Sequence, residues 1–227
     1  MNAVVSTITQ LLPAEIITTD PEQITLYSQD VFTVGPPICA VVRPRNIDEV
    51  QALVRACLER GTPIVTRGGG MSYTSGYIAN APDSVLIDMA SMDAIVEVNL
   101  EDRYVTVEAG CSWQKLYEHL APLGVRTAYW GTLSGRYATV GGGLSQNSIF
   151  WGSGQRGTAA DNVLSVSVVT GRGDLLETGS AAQQHAAPFT RHFGPDLTGV
   201  FPGDCGAPGI KVRATLPLRP LARATGS

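Results

Sequence analysis

The chain has 227 residues, 44% of them hydrophobic and 16% charged, a composition that suits one globular unit or two closely packed lobes and excludes a disordered chain. A formal net charge of −4 leaves no basic surplus to neutralise a phosphate backbone, so no nucleic-acid partner is expected. An anionic small-molecule site would need only local donors.

Residues 1–20 contain no Lys or Arg, and their apolar residues fall in fragments too short for a signal-peptide core or a membrane span. A cytoplasmic location is the resulting expectation. Cys39, Cys57, Cys111 and Cys205 lie far apart, without CxxC spacing and with only three histidines to join them. That argues against a metal site and for buried free thiols.

The stretch ICAVVRP (38–44) is a short apolar run ended by proline, the signal of a buried strand. In NIDEVQALVRACLERG, Asn46 is placed to cap a helix with Glu49 three residues on, and Val50, Leu53, Val54, Cys57 and Leu58 keep helical spacing until Gly61. PIVT (63–66) is a second strand and runs into TRGGGMSYTSGY (66–77). SVLIDM (84–89) is strand-like, and residues 95–110 alternate on both sides of a polar break, which predicts a hairpin. Ser112 is a cap for a helix carrying Trp113, Leu116, Tyr117 and Leu120 up to Gly124. Residues 131–160 are rich in Gly, Ser and Thr and hold no period, and a loop that long inside a compact domain is either misread or functional. A second hairpin is predicted over 163–179, turning through Thr170, Gly171, Arg172, Gly173 and Asp174. The run GIKVRATLPLRPL (209–221) places Ile210, Val212, Ala214, Leu216 and Leu218 on one face of a last strand, with Pro217 favouring an edge or terminal position. One strand–helix–strand unit followed by hairpins is an α+β pattern.

Two glycine runs stand out, at 68–70 and at 141–143. Backbone N–H groups of such turns cradle phosphates, although on the first stretch alone an ordinary tight surface turn is an equal reading. The first run lacks the lysine of a Walker A loop, and Tyr73 replaces the last glycine of a dinucleotide fingerprint. The run ATVGGGLSQNS (138–148) repeats the mixture of small residues, backbone donors, amides and hydroxyls, so the two together are suited to clasp a two-phosphate ligand.

These segments, in this order, resemble the PCMH-type FAD-binding domain of the vanillyl-alcohol oxidase and glycolate oxidase type of FAD-linked oxidoreductases. VVRPRNIDEVQALVRACLERGTPIVTRGGGMS resembles its entry strand, helix and first flavin loop, and DRYVTVEAGCSWQKLYEHLAPLG the strand and helix before its second loop. ATVGGGLSQNSIFWGSGQRGTAADNVLSVSVVTGRGDLLETGS resembles the second loop and following hairpin, and FGPDLTGVFPGDCGAPGIKVRATLPL the segment that returns beneath the flavin. The resemblance covers roughly residues 25–220. It implies two α+β lobes with FAD between them: a single FAD-binding domain over 1–227, with one lobe over about 25–90 and a second over about 91–221; family enzymes continue into a substrate cap domain, and none is expected within these residues.

What it implies for the site is specific. Arg67, Gly68, Gly69, Gly70, Met71 and Ser72 fall at the pyrophosphate loop, mostly as backbone donors. Thr132 and Ser134, with Thr139, Gly141, Gly142 and Gly143, fall where the second loop nears the pyrophosphate and flavin. Asn147 and Gly157 match later positions of the same wrap, and Ile210 an apolar residue whose backbone faces the cofactor. Met71 stands where many relatives carry the histidine that attaches FAD, and Tyr137 near the second attachment cysteine of bicovalent members, so the implied cofactor is non-covalent FAD. The implied reaction is hydride removal from the carbon of a 2-hydroxy acid or other alcohol to flavin N5, with a small hydroxy substrate and a possible cap or electron-acceptor subunit as partners. A non-catalytic flavin-binding subunit, or a remnant that needs a partner, is the alternative. Of the three histidines, His192 is the only candidate for a catalytic base, because it precedes a motif close to the flavin in relatives.

Overall fold

Asn2 caps the first helix by accepting the Val4 N–H at 3.1 Å, and the structure, a computed structural model, describes the chain over residues 2–128, 134–149 and 151–221. Its first part holds α1 (Ala3–Leu11), β1 (Ile17–Thr18), α2 (Pro21–Tyr27), β2 (Ala40–Val42), α3 (Ile47–Glu59), β3 (Ile64–Arg67) and β4 (Val85–Asp88). These strands form one sheet in the order β1-β2-β4-β3, in which β2, β4 and β3 are parallel and β1 is antiparallel to β2. Parallel neighbours require a crossover, and α3 supplies the one between β2 and β3.

α3 forms as its sequence predicts. Asn46 accepts the Glu49 N–H at 2.9 Å, and the Glu49 carboxylate reaches back to the Arg45 N–H at 2.7 Å. Val50, Leu53, Val54 and Cys57 are buried, and Gly61, at φ 61°, turns the chain away. Leu58 departs from the expectation and is 57% exposed, because eight residues beyond Val50 it lies about 80° round the helix, at the margin of the stripe. α1 was not legible among the apolar fragments of residues 1–20. It buries Val4, Val5 and Ile8 in the same cluster as the inner face of α3.

The second part holds β5 (Ile95–Asn99), β6 (Tyr104–Glu108), α4 (Trp113–Leu120), β7 (Val125–Thr127), α5 (Val140–Ser145), α6 (Ser153–Arg156), β8 (Ser165–Thr170), β9 (Leu175–Glu177) and β10 (Gly209–Pro220). Its sheet is antiparallel, ordered β5-β6-β10-β8-β9, with β7 against the end of β10. Both expected hairpins are present. The first turns where Asn99 accepts the Asp102 N–H at 2.8 Å. The second turns through Thr170 and Asp174, whose backbone groups meet at 2.9 Å. The stretch 131–160, read as a loop, contains α5 and α6; glycine-rich α5 has no apolar period to betray it.

β10 corrects two expectations. It is the central strand, flanked by β6 and β8, and Pro217 is tolerated because it lies past the last pair with β8, Thr215 opposite Ser165. Its apolar residues do not share one face either. A register shift between Lys211 and Arg213 sends Ile210 and Val212 into the cluster with α1 and α3, and Ala214, Leu216 and Leu218 into the cluster with α4 and α5. A bulge inserts one extra residue and so reverses the alternation. One strand thereby serves both cores, and the architecture is α+β with two sheets, as expected.

Leu53→Ala, at a fully buried position, should lower unfolding free energy by about 2–5 kcal/mol, against about 0.5 kcal/mol or less for the exposed Leu58→Ala, in chemical denaturation.

Candidate functional site

β3 ends at Arg67 and releases the first glycine run into a cleft of about 310 Å³, walled on its other sides by α5 and the start of β10. The first run meets, backbone to backbone, the segment that leads into the second. A Cβ at Gly69 would overlap the Tyr137 carbonyl oxygen, so only glycine allows this approach. Gly70 has φ 64°, and a Cβ there would strike the Arg67 guanidinium.

The runs differ in what they offer. Among the described residues, the amides of Gly68, Gly69, Gly70, Met71 and Ser72 have no acceptor. In the second run every donor is spent: Val140 N–H bonds Cys111 O and Gly141 N–H bonds Ala109 O, both at 2.8 Å, Gly143 N–H bonds Thr139 O at 2.9 Å, and Gly142 N–H bonds the Thr139 hydroxyl at 3.2 Å. The expectation that both runs present backbone donors therefore fails for the second, because α5 is a capped helix anchored to the strand behind it.

Among the described residues two cationic side chains line the cleft, Arg67 and Lys211. The Arg67 guanidinium lies 4.7 Å from the Tyr27 ring and 4.8 Å from the Tyr77 ring, and its Nη1 is buried with no hydrogen-bond partner among the described residues. Burial pushes the Tyr77 hydroxyl up, and that hydroxyl donates to the Gly70 carbonyl at 2.9 Å. Lys211 is neutralised instead. Its Nζ donates to Asp204 Oδ1 at 2.6 Å and to Ser145 Oγ at 3.0 Å, and both charged side chains are 3% exposed. Burial pushes the Lys211 ammonium down, opposed by Asp204. Sequence reasoning missed this pair: Lys211 reads as the solvated face of an alternating strand, and only the bulge at 211–213 turns it under α5.

Burial pushes the Cys57 and Cys111 thiols up to about 12 and Cys39 to about 11. Cys205 breaks the expectation of buried thiols: it is exposed, at φ 51°, on the cleft wall. The turn that carries it is held by the Gly206 N–H on Asp204 Oδ1 at 2.7 Å.

The cleft brings together Arg67, Gly68, Gly69, Gly70, Met71, Ser72, Thr139, Gly141, Gly142, Gly143 and Ile210. Ser134, Asn147 and Gly157 do not line it. Asn147 Oδ1 accepts the Ala160 N–H at 2.9 Å, and Gly157, at φ 79°, ends α6. Thr132 lies outside the described residues. His192 is exposed and does not line the cleft.

Comparison with known proteins fixes the family. The model of the FAD binding domain matches residues 38–179. The chain belongs to the FAD binding domain family. It is 33% identical over 181 residues, 80% of this chain and 30% of the relative, to a mitochondrial D-lactate dehydrogenase [cytochrome] of Arabidopsis thaliana. It is 30% identical over 181 residues, 80% of this chain and 37% of the relative, to the glycolate oxidase subunit GlcD of Bacillus subtilis. This FAD binding domain thus spans about a third of the length of these curated relatives. In fold it matches p-cresol methylhydroxylase, solved with substrate bound, at a TM-score of 0.82 and 22% identity over 96% of this chain and 43% of that one. It also matches alkyldihydroxyacetonephosphate synthase, at 0.83 and 19% over 97% and 44%. FAD is the cofactor of this domain, and the residues fit it: five unsatisfied amides and a buried, unpaired guanidinium nitrogen are the donor set a diphosphate needs.

Lys211→Met leaves the buried Asp204 carboxylate unpaired and should cost about 3–5 kcal/mol in guanidinium unfolding. Lys211→Met with Asp204→Asn removes both charges, keeps the acceptor for Gly206, and should recover most of that loss.

Proposed function

We propose that this chain binds FAD non-covalently with its diphosphate on the turn over 68–72, as the flavin-binding part of an oxidoreductase that acts on a 2-hydroxy acid or another alcohol. The observation that carries the reading is the set of acceptor-free amides beside the unpaired Arg67 nitrogen. Bound there, FAD supplies a two-electron acceptor for hydride from a carbon bearing a hydroxyl group. The chain's own contribution is binding and exclusion of water. Arg67 and the free amides hold the diphosphate, the second run packs closely enough for a flat ring system to approach the cleft wall, and Ile210 supplies an apolar floor. Met71 lacks the imidazole nitrogen through which histidine-bearing relatives make their covalent link, which supports reversible binding.

The hydroxy-acid assignment draws on the D-lactate dehydrogenase and glycolate oxidase relatives. In this reading residues 1–227 are one flavin-binding domain with lobes over about 25–90 and 91–221, and substrate selection and the proton acceptor come from a cap or partner subunit. Two observations support that division. His192 lies off the cleft, and Met71, Tyr73 and Ile149, which line it, are 41%, 69% and 72% exposed, an apolar rim of the kind that marks an interface.

Purified protein mixed with FAD should show a perturbed flavin spectrum, and acid precipitation should release all the flavin to the supernatant. Flavin retained in the pellet would contradict non-covalent binding, and an unchanged spectrum with an unchanged Tm would contradict binding itself. With FAD bound, modification of Cys205 by a thiol reagent should slow, while Cys57 and Cys111 stay unreactive with or without the cofactor. Cys205→Ser should abolish the fast phase of that reaction.

A further inference from the structure

Arg67 is held by groups that leave its charge uncompensated. Among the described residues no carboxylate pairs with it. The nearby acid, Asp88, is already taken: its Oδ2 accepts from the Tyr27 hydroxyl at 2.8 Å and from Arg43 Nε at 3.3 Å. Against the Arg67 guanidinium lie two aromatic rings and the side-chain-free face of Gly70, and Arg43 lies 5.2 Å from the centroid of the same Tyr27 ring. Aromatic faces attract a cation and fix its plane without supplying an acceptor. Lys211, the other cation of the cleft, has its acid in Asp204 and has no such charge to offer.

The two rings come from opposite sides of the turn in sequence. Tyr77 is 6% exposed and bonds the Gly70 carbonyl through its hydroxyl. Tyr27 is the last residue of α2, a helix that buries none of its residues; its hydroxyl donates to Asp88 and accepts from Arg43 Nη2 at 3.1 Å. α2 thus presents one ring to Arg67 while Ile24 packs on the core beside it.

We propose that Tyr27 and Tyr77 are positioning residues for the cofactor: they hold the Arg67 guanidinium as a fixed, uncompensated plate beside the free amides of the first glycine turn, so that its unpaired N–H meets the diphosphate. The proposal rests on the FAD reading above. It explains why a flat guanidinium is present, since a lysine ammonium cannot stack between two rings and aim a donor in a set direction.

The test is a double-mutant cycle on FAD affinity, read by flavin fluorescence, with the Tm of each apoprotein as the check on folding. Tyr27→Leu should weaken binding roughly tenfold, as loss of one cation–π contact implies, whereas Tyr27→Phe, which keeps the ring, should stay within about threefold of wild type. In the Arg67→Met background, Tyr27→Leu should change affinity by less than about twofold, because the ring acts through the guanidinium. An equal loss in both backgrounds would assign Tyr27 a merely structural role and overturn the proposal. Should Tyr27→Leu fail to fold, Arg67→Lys decides the matter: affinity equal to wild type would overturn the stacked clamp, and a loss close to that of Arg67→Met would support it. If the wild-type protein binds no FAD, the underlying reading falls; if it binds FAD and the cycle shows no coupling, only the clamp falls.

Discussion

The site depends on one constraint, the contact between the first glycine run and the chain entering α5, where the Gly69 backbone lies against the Tyr137 carbonyl with no side chain between them. The first run hangs from the end of a parallel sheet, and the segment it meets leads into α5, the helix that holds the second run and packs on an antiparallel sheet. Bringing them to backbone distance joins the two sheets and forms the back of the cleft in the same step. The apolar cores are joined elsewhere by β10, whose bulge lets Ile210 and Val212 serve one cluster while Ala214, Leu216 and Leu218 serve the other. Close approach and shared strand together shape the cleft.

Within that frame the two glycine runs do different work. Identical in sequence as triple glycines, they diverge because Thr139 caps α5 and the carbonyls of Cys111 and Ala109, just past β6, accept the Val140 and Gly141 amides, which leaves the second run no donors. The first run follows the end of β3, where no strand or helix accepts its amides. The cations divide in the same way: Lys211 is buried against Asp204 and Ser145, and Arg67 lies between rings that leave its charge intact. The anion-attracting character of the cleft therefore lies on one wall.

Much of this was legible in the sequence. Asn46 and Glu49 mark the start of α3, Gly61 and Gly124 mark ends, and the turns at Asn99 and at Gly171–Gly173 divide the hairpins by ordinary turn chemistry. By residue type the glycine run at 68–70 is open to an ordinary turn or a phosphate cradle, and the pyrophosphate role of the run and of Arg67 is what the family resemblance implies. What was hidden needed tertiary information. α1 is a short helix whose three buried residues make sense only against α3. The bulge in β10 leaves no mark in an unbroken alternation, so Lys211 reads as a surface residue. The resemblance matches Asn147 to the cofactor wrap, and its side-chain oxygen accepts the Ala160 N–H, a partner no local pattern marks. Tyr27 lies 40 residues from Arg67 in sequence, and nothing local connects them.

The most direct test of this account is amide hydrogen exchange resolved at the two glycine runs, with and without FAD. The amides of Gly68, Gly69, Gly70, Met71 and Ser72 should exchange rapidly in the free protein and become protected when FAD binds, while those of Gly141 and Gly143 are protected in both states. Protection arising on FAD binding in the second run and not in the first would contradict it, and would move the diphosphate to the other wall of the cleft.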